Sequence, residues 1–328
     1  MQEETAKIET ALDTLERLVS DMNAAGTKNT LRGKIYRDEP MSRHTSWRAG
    51  GSTDRYFEPA DIDDLCLYLS DRPDDEPILF VGLGSNLLVR DGGFRGSVIA
   101  TGSVLNGLSM AEEKTIHAEA GVPCAKVARF AAKQGLTGAE FLAGIPGTMG
   151  GALAMNAGAF GGEIWNIVAS VELLDRQGHR KTCRREEFKT AYRHVELAKN
   201  HWFLSAKLVL EPGSDGQSSR KIQELLGKRA ATQPTGQFSC GSVFRNPPGD
   251  HAARLIEDCD LKGFHIGGAY VSDKHANFII NDANASAADI EQLIRHIQQV
   301  VRDKHGVELL PEVRIVGEEM NGSSYCGE

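Results

Sequence analysis

The feature that most constrains the fold is a run of closely spaced glycines near the middle of the chain. Nine glycines lie between residues 135 and 162, at positions 135, 138, 144, 147, 150, 151, 158, 161 and 162. Because glycine has no Cβ, such a backbone can adopt positive φ angles and approach a bulky ligand closely. Its amides can also converge as a cradle for anionic oxygens. A series of turns around a sheet of small residues would use the same composition, and this stretch alone does not distinguish the two.

A second glycine turn follows a short apolar segment. Residues 77–81 (Pro-Ile-Leu-Phe-Val) predict a buried strand, residues 82–86 (Gly-Leu-Gly-Ser-Asn) a turn, and residues 87–89 another strand. A turn with small hydroxyl donors after a strand is typical of a phosphate-binding loop. The Rossmann fingerprint is absent, because its third glycine would fall on Leu87, where the chain predicts a strand rather than a helix. A plain turn therefore remains open.

Length, charge and cysteine content exclude several classes of protein. The 328 residues suffice for two domains of ordinary size, and the net charge of −8 disfavours a general binder of nucleic acid or anionic membranes. An anionic ligand would need a local basic cluster. No apolar run approaches the roughly 18 residues of a membrane span, and the chain starts with polar residues, so we expect no membrane insertion and a cytoplasmic location. Six scattered cysteines indicate free thiols, and we predict no bound metal.

A polar linker divides the chain. Apolar residues at helical spacing predict a leader helix within residues 1–30, and residues 211–219 (Glu-Pro-Gly-Ser-Asp-Gly-Gln-Ser-Ser) form the clearest linker. We therefore predict a first domain over residues 31–213, a second over 214–317 and a flexible tail over 318–328. Helices that alternate with strands favour a compact α/β layer for the second domain. Predicted helices span 60–70, 122–134, 220–231, 252–259 and 286–304, and predicted strands include 168–174, 203–210, 276–281 and 307–316.

Residues 238–248 contain a candidate proton donor. Ser242 follows a glycine on what we predict to be a rigid turn, with Asn246 nearby, and its hydroxyl could donate a proton. A serine that only stabilises the turn or caps a helix is the alternative. Cys240 is a competing donor, although free cysteines usually serve as packing residues.

Two charged residues stand out against their surroundings. Glu312 interrupts an apolar segment directly after Pro311, where a charge near a core strand is unusual. Arg193 follows Tyr192 in a short polar connection between predicted strands, where a surface ion pair is the alternative. Taken singly, other basic residues of the second domain fit solvated positions: Lys228, Arg229, Lys274 and His275.

An ordered series of motifs extends over nearly the whole chain, from about residue 34 to residue 317. The motifs are His-Thr-Ser-Trp-Arg-Ala-Gly-Gly at 44–51, Gly-Leu-Gly-Ser-Asn at 82–86, Ala-Gly-Ile-Pro-Gly-Thr-Met-Gly-Gly-Ala at 143–152, Met-Asn-Ala-Gly at 155–158, Tyr-Arg at 192–193, Gly-Ser-Val-Phe-Arg-Asn-Pro at 241–247, Lys-His-Ala-Asn-Phe at 274–278 and Pro-Glu-Val at 311–313. Each motif is modest alone, but the order is highly specific. In this order the chain resembles the UDP-N-acetylenolpyruvoylglucosamine reductases, flavin enzymes of peptidoglycan precursor synthesis.

The resemblance implies an α+β protein of the family's shorter, type II form. A vanillyl-alcohol-oxidase-type FAD-binding domain would occupy residues 31–213, and a smaller α/β substrate-binding domain residues 214–317. The two glycine turns would lie along the pyrophosphate and ribityl chain of FAD. The implied cofactor-binding residues are Gly82, Gly84, Ser85, Asn86, Gly144, Gly147, Thr148, Gly150 and Gly151.

The implied reaction is hydride transfer from NADPH to FAD and then to the vinyl carbon of UDP-N-acetylglucosamine enolpyruvate, which gives UDP-N-acetylmuramate. Negative charge develops at the adjacent carbon, so the site needs a fixed positive charge and a proton source. Arg193 matches the arginine that stabilises this charge, Ser242 the proton donor and Glu312 the acidic partner. The substrate-binding candidates are Tyr192, Lys228, Arg229 and Asn246.

Two alternatives remain open from the sequence: an FAD oxidase of the same fold and a non-catalytic sensor of nucleotide sugars. We expect a monomer with no nucleic-acid partner. One departure concerns the residues after Arg193, where the family often has a serine two positions later and this chain has Val195. We therefore expect the loop after Arg193 to be placed differently.

Overall fold

The computed structural model describes residues 30–102, 104–282 and 284–320. The predicted leader helix and most of the predicted tail lie outside these residues. From Gly33 onward the chain forms one unit, and all contacts described below lie within it.

The helices follow the predicted pattern with one addition. Helix α1 begins where the Asp61 carboxylate accepts a hydrogen bond from Asp64 N at 2.9 Å, and α6 begins with a reciprocal Ser286–Asp289 capping box. The addition is α3, which lies inside the glycine-rich stretch. The helices are α1 Ile62–Ser70, α2 Cys124–Lys133, α3 Met149–Met155, α4 Gln217–Thr232, α5 Ala252–Asp258 and α6 Ala287–His305, and short 3-10 turns cover Met41–Arg43, Glu140–Gly144, Ile164–Asn166 and Arg185–Glu187.

The strands form two larger sheets, a three-stranded sheet and several short pairs. They are β1 Lys34–Pro40, β2 Ser52–Glu58, β3 Ile78–Val81, β4 Leu87–Val89, β5 Phe94–Ala100, β6 Leu108–Glu112, β7 Thr115–Glu119, β8 Leu136–Thr137, β9 Gly158–Ala159, β10 Gly162–Glu163, β11 Val168–Asp175, β12 Arg180–Arg184, β13 Thr190–Ala191, β14 His194–Val195, β15 His201–Val209, β16 Glu211–Pro212, β17 His265–Ile266, β18 Ala269–Val271, β19 Ile279–Asn281 and β20 Arg314–Val316. One of the larger sheets has the order β1-β2-β5-β3, with β2, β5 and β3 parallel, and the other is antiparallel with the order β12-β11-β15-β7-β6. The three-stranded sheet has the order β17-β18-β19.

Two predicted strands are much shorter than expected. The segment 276–281 pairs only over β19, and the segment 307–316 pairs in the sheet only over β20. Asn277 instead uses its side chain, which donates from Nδ2 to Phe244 O at 2.8 Å. An isolated bridge joins Phe244 to Pro311. Ile279 and Leu309 from these segments are buried in a core that includes Leu293 of α6. Apolar patterning alone does not distinguish such a buried segment from a strand.

The hydrophobic core of the second part of the chain also includes residues from the first part. Trp47 is fully buried there, its Nε1 donates to Ile279 O at 2.8 Å, and its own carbonyl accepts from Asn281 Nδ2 at 2.7 Å. Strand β4 pairs in parallel with β20, which places Leu87 opposite Arg314. The turn at residues 82–86 is therefore joined directly to the C-terminal segment.

Helix α4 packs on the first core. Ile222 belongs to the cluster around Leu142 and Trp165, and Ser218 Oγ donates to Glu140 Oε1 at 2.6 Å. The first part of α4 therefore contacts the glycine-rich stretch, and its C-terminal residues extend away from that contact. The domain boundary at residues 213 and 214 stays a prediction.

Candidate active site

The two glycine turns meet. A Cβ built on Gly82 would lie 2.2 Å from Thr148 Oγ1, and one built on Gly147 would lie 3.2 Å from Ser85 Oγ. Gly84 has φ +59°, and a Cβ there would lie 2.0 Å from His44 O. Only residues without a side chain allow these approaches. Two turns that are far apart in sequence therefore form one surface.

Within the second turn, the glycines make room for neighbouring segments as well. A Cβ on Gly144 would lie 2.4 Å from Phe160 Cε2, and one on Gly150 would lie 2.9 Å from Ala120 Cβ. Helix α3 can therefore begin directly after Thr148 and pack against the end of β7. Gly151 differs, because no described atom lies within 4 Å of the position of its Cβ.

A cavity of about 710 Å³ opens beside the first turn. Its wall contains Gly82, Leu83 and Ser85 from that turn and Pro146 from the second. Part of the remaining lining comes from residues that sequence reasoning did not assign to a site: Arg43, His44, Thr45, Ser46 and Arg48, the loop Gln233–Ser239, and Phe278. The rest is Arg229, a predicted substrate-binding residue, and Gly241, which precedes Ser242. The basic and hydroxyl residues of the His-Thr-Ser-Trp-Arg motif were the available signal.

The cavity wall is basic although the chain as a whole is acidic. Arg48 stacks over Phe238, with its guanidinium carbon 4.7 Å from the ring centre, and Arg229 Nε donates to Gln233 Oε1 at 3.1 Å. Among the described residues neither arginine has a carboxylate partner, and the wall contains no Asp or Glu. Burial lowers the pKa of Arg229, as expected for a cation without a counter-ion. This is the local basic cluster that an anionic ligand requires.

A buried ion pair lies at the far end of the first turn. Arg193 Nε donates to Glu312 Oε1 at 2.9 Å, and the two side chains are only 16% and 13% exposed. Arg193 Nη2 also donates to Gly158 O at 2.8 Å. Arg193 occupies the tight turn between β13 and β14 with φ +54°, an uncommon conformation for a bulky residue. The guanidinium is thus held by two segments of the fold besides its own hairpin.

Burial decides the protonation behaviour of Glu312. Loss of hydration raises the pKa of this carboxyl, and the charges of Arg193 and Arg245 only partly oppose that effect. A carboxyl with a raised pKa beside a fixed cation is a common arrangement in catalytic sites. Arg193 and Glu312 do not line the 710 Å³ cavity, so they occupy a separate part of the site.

Ser242 lies on the segment that pairs with Glu312. The residue after it, Val243, accepts a hydrogen bond from Glu312 N at 2.7 Å, and the residue before it, Gly241, lines the cavity. The Ser242 side chain is half-buried. Its hydroxyl has no hydrogen-bond partner within the described ranges, so it is available to a ligand. Ser242 therefore lies in the chain between a cavity residue and a residue bonded to Glu312.

The competing donor, Cys240, is a packing residue. It is 4% exposed, its Sγ lies 3.6 Å from the carbonyls of Gly84 and Leu87, and burial raises its pKa to about 12. A thiol in this environment neither ionises readily nor reaches a ligand.

The predicted substrate-binding residues are placed differently from one another. Arg229 lines the cavity, and Tyr192 is 46% exposed, with its ring 5.0 Å from the Arg193 guanidinium carbon. Lys228 pairs with Glu224 at 2.8 Å on the exposed face of α4. Asn246 accepts a hydrogen bond from Ala252 N at 3.1 Å, so its side chain satisfies the start of α5.

One predicted cofactor residue and one unassigned lysine contact other protein segments. Asn86 Nδ2 donates to Glu312 O at 3.0 Å. Lys274 Nζ donates to Ala230 O at 2.6 Å and so holds the last turn of the helix that carries Arg229. Such long-range contacts leave no signal in local sequence.

The described residues fit a cofactor that carries a diphosphate. The converging glycine turns offer backbone amides and the hydroxyls of Ser85 and Thr148. Arg48 and Arg229 supply charge that no carboxylate in the described part of the chain balances. Over the described residues there is no cluster of His, Cys, Asp or Glu able to hold a metal ion, and no helix is both long and apolar enough to cross a membrane.

In comparison with known proteins, two family models match separate parts of the chain. Residues 53–184 match the family model of the FAD binding domain, and residues 233–316 match that of the UDP-N-acetylenolpyruvoylglucosamine reductase C-terminal domain. These matches confirm the expected order of an FAD-binding domain followed by a second domain.

Curated relatives cover nearly the whole chain. A UDP-N-acetylenolpyruvoylglucosamine reductase of Legionella pneumophila (strain Corby) is 54% identical over 288 residues, which cover 88% of this chain and 94% of the relative. One from Methylococcus capsulatus (strain Bath) is 54% identical over 297 residues and covers 90% and 97% of the two chains. The crystal structure of UDP-N-acetylenolpyruvylglucosamine reductase from Thermus caldophilus superposes with a TM-score of 0.74 at 30% identity, over 87% of this chain and 99% of that one. The chain belongs to the UDP-N-acetylenolpyruvoylglucosamine reductase family.

Proposed function

We propose that this chain catalyses the NADPH-dependent reduction of UDP-N-acetylglucosamine enolpyruvate to UDP-N-acetylmuramate through FAD, a step of peptidoglycan precursor synthesis. The observation that carries the proposal is the buried Arg193–Glu312 pair beside the Ser242 segment, at the end of a glycine turn that also borders a basic cavity. Family membership supplies the reaction, and the geometry supplies groups for each of its charge and proton requirements.

The glycine turns would hold the cofactor. Residues 82–85 and 144–151 provide amides and hydroxyls around the surface where the turns meet. Bound FAD would supply the hydride, with NADPH as its source. Reduction of the enolpyruvyl double bond adds this hydride to one carbon and a proton to the adjacent carbon, and NADPH becomes NADP⁺.

Arg193 would stabilise the negative charge that develops next to the substrate carboxylate. Its guanidinium is fixed by Glu312 and by Gly158 O, so little reorganisation is needed when the charge appears. Preorganised donors of this kind contribute about 10²–10³ in rate. Tyr192, beside Arg193, would contact the substrate at the same end of the site.

Ser242 would donate the proton from Oγ to the carbanionic carbon. A serine is a weak acid in water, so the step needs a strongly basic acceptor and a nearby acid to stabilise the alkoxide. Glu312 would serve as that acid, because burial raises the pKa of its carboxyl. Glu312 is joined to the Ser242 segment through Val243 O, which keeps the two residues in register.

The nucleotide part of the substrate would meet basic and polar groups of the second domain. Arg229 is the best placed, because it lines the cavity without a carboxylate partner among the described residues. Lys228 and Asn246 are the other candidates, and each would have to leave its present contact, with Glu224 or with Ala252 N.

Single-turnover kinetics of Ser242→Ala test the proposed roles. NADPH should reduce the bound flavin at a rate close to wild type, whereas reoxidation by the enolpyruvyl nucleotide should slow by about 10²–10⁴, the contribution of a positioned acid. Cys240→Ala is the matched control and should keep both rates within about threefold, since its thiol is buried packing. Equal loss in both half-reactions of Ser242→Ala would contradict the proton-donor role.

The same experiment separates the competing functions. Oxygen consumption with an alcohol and without NADPH would indicate an FAD oxidase. Nucleotide-sugar binding without any turnover would indicate a sensor. Either result would contradict the proposed reductase.

We further propose that the chain acts as a cytoplasmic monomer. The support is that NADPH and the nucleotide sugar are water-soluble and that residues of this one chain meet each proposed chemical requirement. Sedimentation equilibrium of the FAD-loaded protein at working concentration tests the monomer, and a dimer mass would contradict it.

A further inference from the structure

Asn86 connects the first glycine turn to Glu312. Its Nδ2 donates to Glu312 O at 3.0 Å, and its own carbonyl accepts from Arg314 N at 3.0 Å. The two residues are 226 positions apart, so these bonds fix the turn to the C-terminal segment. Asn86 Nδ2 also lies 3.7 Å from Met155 Sδ at the end of α3.

The backbone and side chain of Glu312 are held at three points. Its amide donates to Val243 O at 2.7 Å, its carboxylate accepts from Arg193 Nε at 2.9 Å, and its carbonyl accepts from Asn86. Of these contacts, the one from Asn86 comes from the cofactor turn. This amide therefore joins Glu312 itself to that turn.

The Asn86 side chain does not take part in the cavity wall. Its neighbours Gly82, Leu83 and Ser85 line the cavity, but Asn86 is absent from the lining. A side-chain amide already paired with a carbonyl has less capacity for a ligand than a free one.

Arg193 is anchored independently of Asn86. Its guanidinium bonds Gly158 O, and the buried side chain of Asn156 donates to Ala191 O at 3.0 Å in the same hairpin. If the Glu312 segment moved, Arg193 would not move with it, and the ion pair would open. A displacement of about 1 Å at a reacting group can reduce the rate about a hundredfold.

We propose that Asn86 is a positioning residue that fixes Glu312 against the cofactor turn, rather than a ligand of the cofactor. The inference rests on the proposed reductase function. It goes beyond that function by assigning to Asn86 a role in the substrate half-reaction alone.

The test compares Asn86→Ala with a matched control, Gln298→Ala. Gln298 Nε2, on α6, donates to Leu309 O at 2.8 Å, so the control also removes an amide-to-carbonyl bond to the segment before Glu312. Three quantities are measured for each: the Kd of the apoprotein for FAD, the rate of flavin reduction by NADPH, and the rate of reoxidation by the enolpyruvyl nucleotide. A fourth readout is the pKa of the Glu312 carboxyl, from NMR titration of labelled glutamate, with Glu312→Gln for assignment.

For Asn86→Ala we expect reoxidation to slow by about 10–100-fold, with the FAD Kd and the reduction rate within about threefold of wild type. The Glu312 pKa should rise, because the carboxyl moves away from the Arg193 charge that lowers it. Gln298→Ala should keep all three quantities within about threefold.

Three results would overturn the inference. They are a rise in FAD Kd as large as the loss in reoxidation rate, a reoxidation rate for Asn86→Ala within about threefold of wild type, and an equal slowing by Gln298→Ala. If wild-type protein were not reoxidised at all, the proposed function would fail. The pKa of Glu312 in Asn86→Ala would then decide whether Asn86 positions Glu312. A raised pKa would support this role, and an unchanged pKa would contradict it.

Discussion

Gly82→Ala should force the two glycine turns apart. A Cβ on Gly82 would lie 2.2 Å from Thr148 Oγ1, 2.8 Å from Cγ2 and 3.1 Å from Cβ. Thr148 is 4% exposed, so its side chain has no open space into which to rotate. Overpacking a buried position costs about 1–3 kcal/mol. We therefore expect the free energy of unfolding of the apoprotein to fall by about 2 kcal/mol.

Shortening Thr148 should remove most of this cost. In Thr148→Ala the nearest remaining atom is Cβ at 3.1 Å, which needs a shift of only a few tenths of an ångström. The double variant Gly82→Ala/Thr148→Ala should therefore be more stable than the sum of the single effects by at least about 1 kcal/mol, as expected for residues in contact. Gly151→Ala is the control, because a Cβ there meets no described atom within 4 Å and alanine favours the helix.

Urea unfolding of the apoproteins, followed by tryptophan fluorescence, gives each free energy and shows through the m-value whether the transition stays comparable. FAD titration should show weaker binding for Gly82→Ala and partial recovery in the double variant. Additive effects of Gly82→Ala and Thr148→Ala, within about 0.5 kcal/mol, would show that the turns do not touch and would refute the convergence on which the cofactor site depends.

Three further predictions concern charged and thiol groups. Arg193→Met leaves the Glu312 carboxylate buried without its cation, so the free energy of unfolding at neutral pH should fall by about 3 kcal/mol. The rate of flavin reoxidation should fall by about 10²–10³. A loss of less than about tenfold in stopped-flow reoxidation would contradict the role of Arg193. Because burial raises the pKa of Glu312, the folded state binds its proton more tightly than the unfolded state, and the stability from this group falls as pH rises from 4.5 through the raised pKa. The stability of Glu312→Gln relative to wild type should therefore increase over that range in urea titrations, and a decrease would reverse the assigned shift. With its pKa raised to about 12 by burial, Cys240 should react with iodoacetamide only after unfolding, and labelling of the native protein by mass spectrometry would contradict its burial.

Local pattern was sufficient to predict most of the elements. Five helices and the strand that precedes the Gly82 turn follow from apolar periodicity and turn residues, and all appear within the described part of the chain. Helix α3 was missed because Met149–Met155 contains two glycines, which disfavour a helix in isolation. The helix contains glycine because Gly150 packs closely against Ala120, and this contact is tertiary.

The limits at the site have the same origin. The motif order predicts roles for Arg193, Ser242 and Glu312, and the structure brings their segments together through hydrogen bonds. No local pattern reveals that Asn86 bonds to Glu312, 226 residues away, or that Asn246 satisfies the start of α5. The basic wall contributed by Arg43 and Arg48 was missed because two arginines in a turn motif are ordinary surface residues until the fold places them opposite Arg229 in one cavity.

The most direct measurement is the visible absorbance of the purified, FAD-loaded protein through one anaerobic cycle. NADPH should bleach the flavin band, and an equimolar amount of UDP-N-acetylglucosamine enolpyruvate should restore it while UDP-N-acetylmuramate forms. A flavin that stays reduced after the nucleotide sugar is added, and that only oxygen restores, would contradict the proposed reaction.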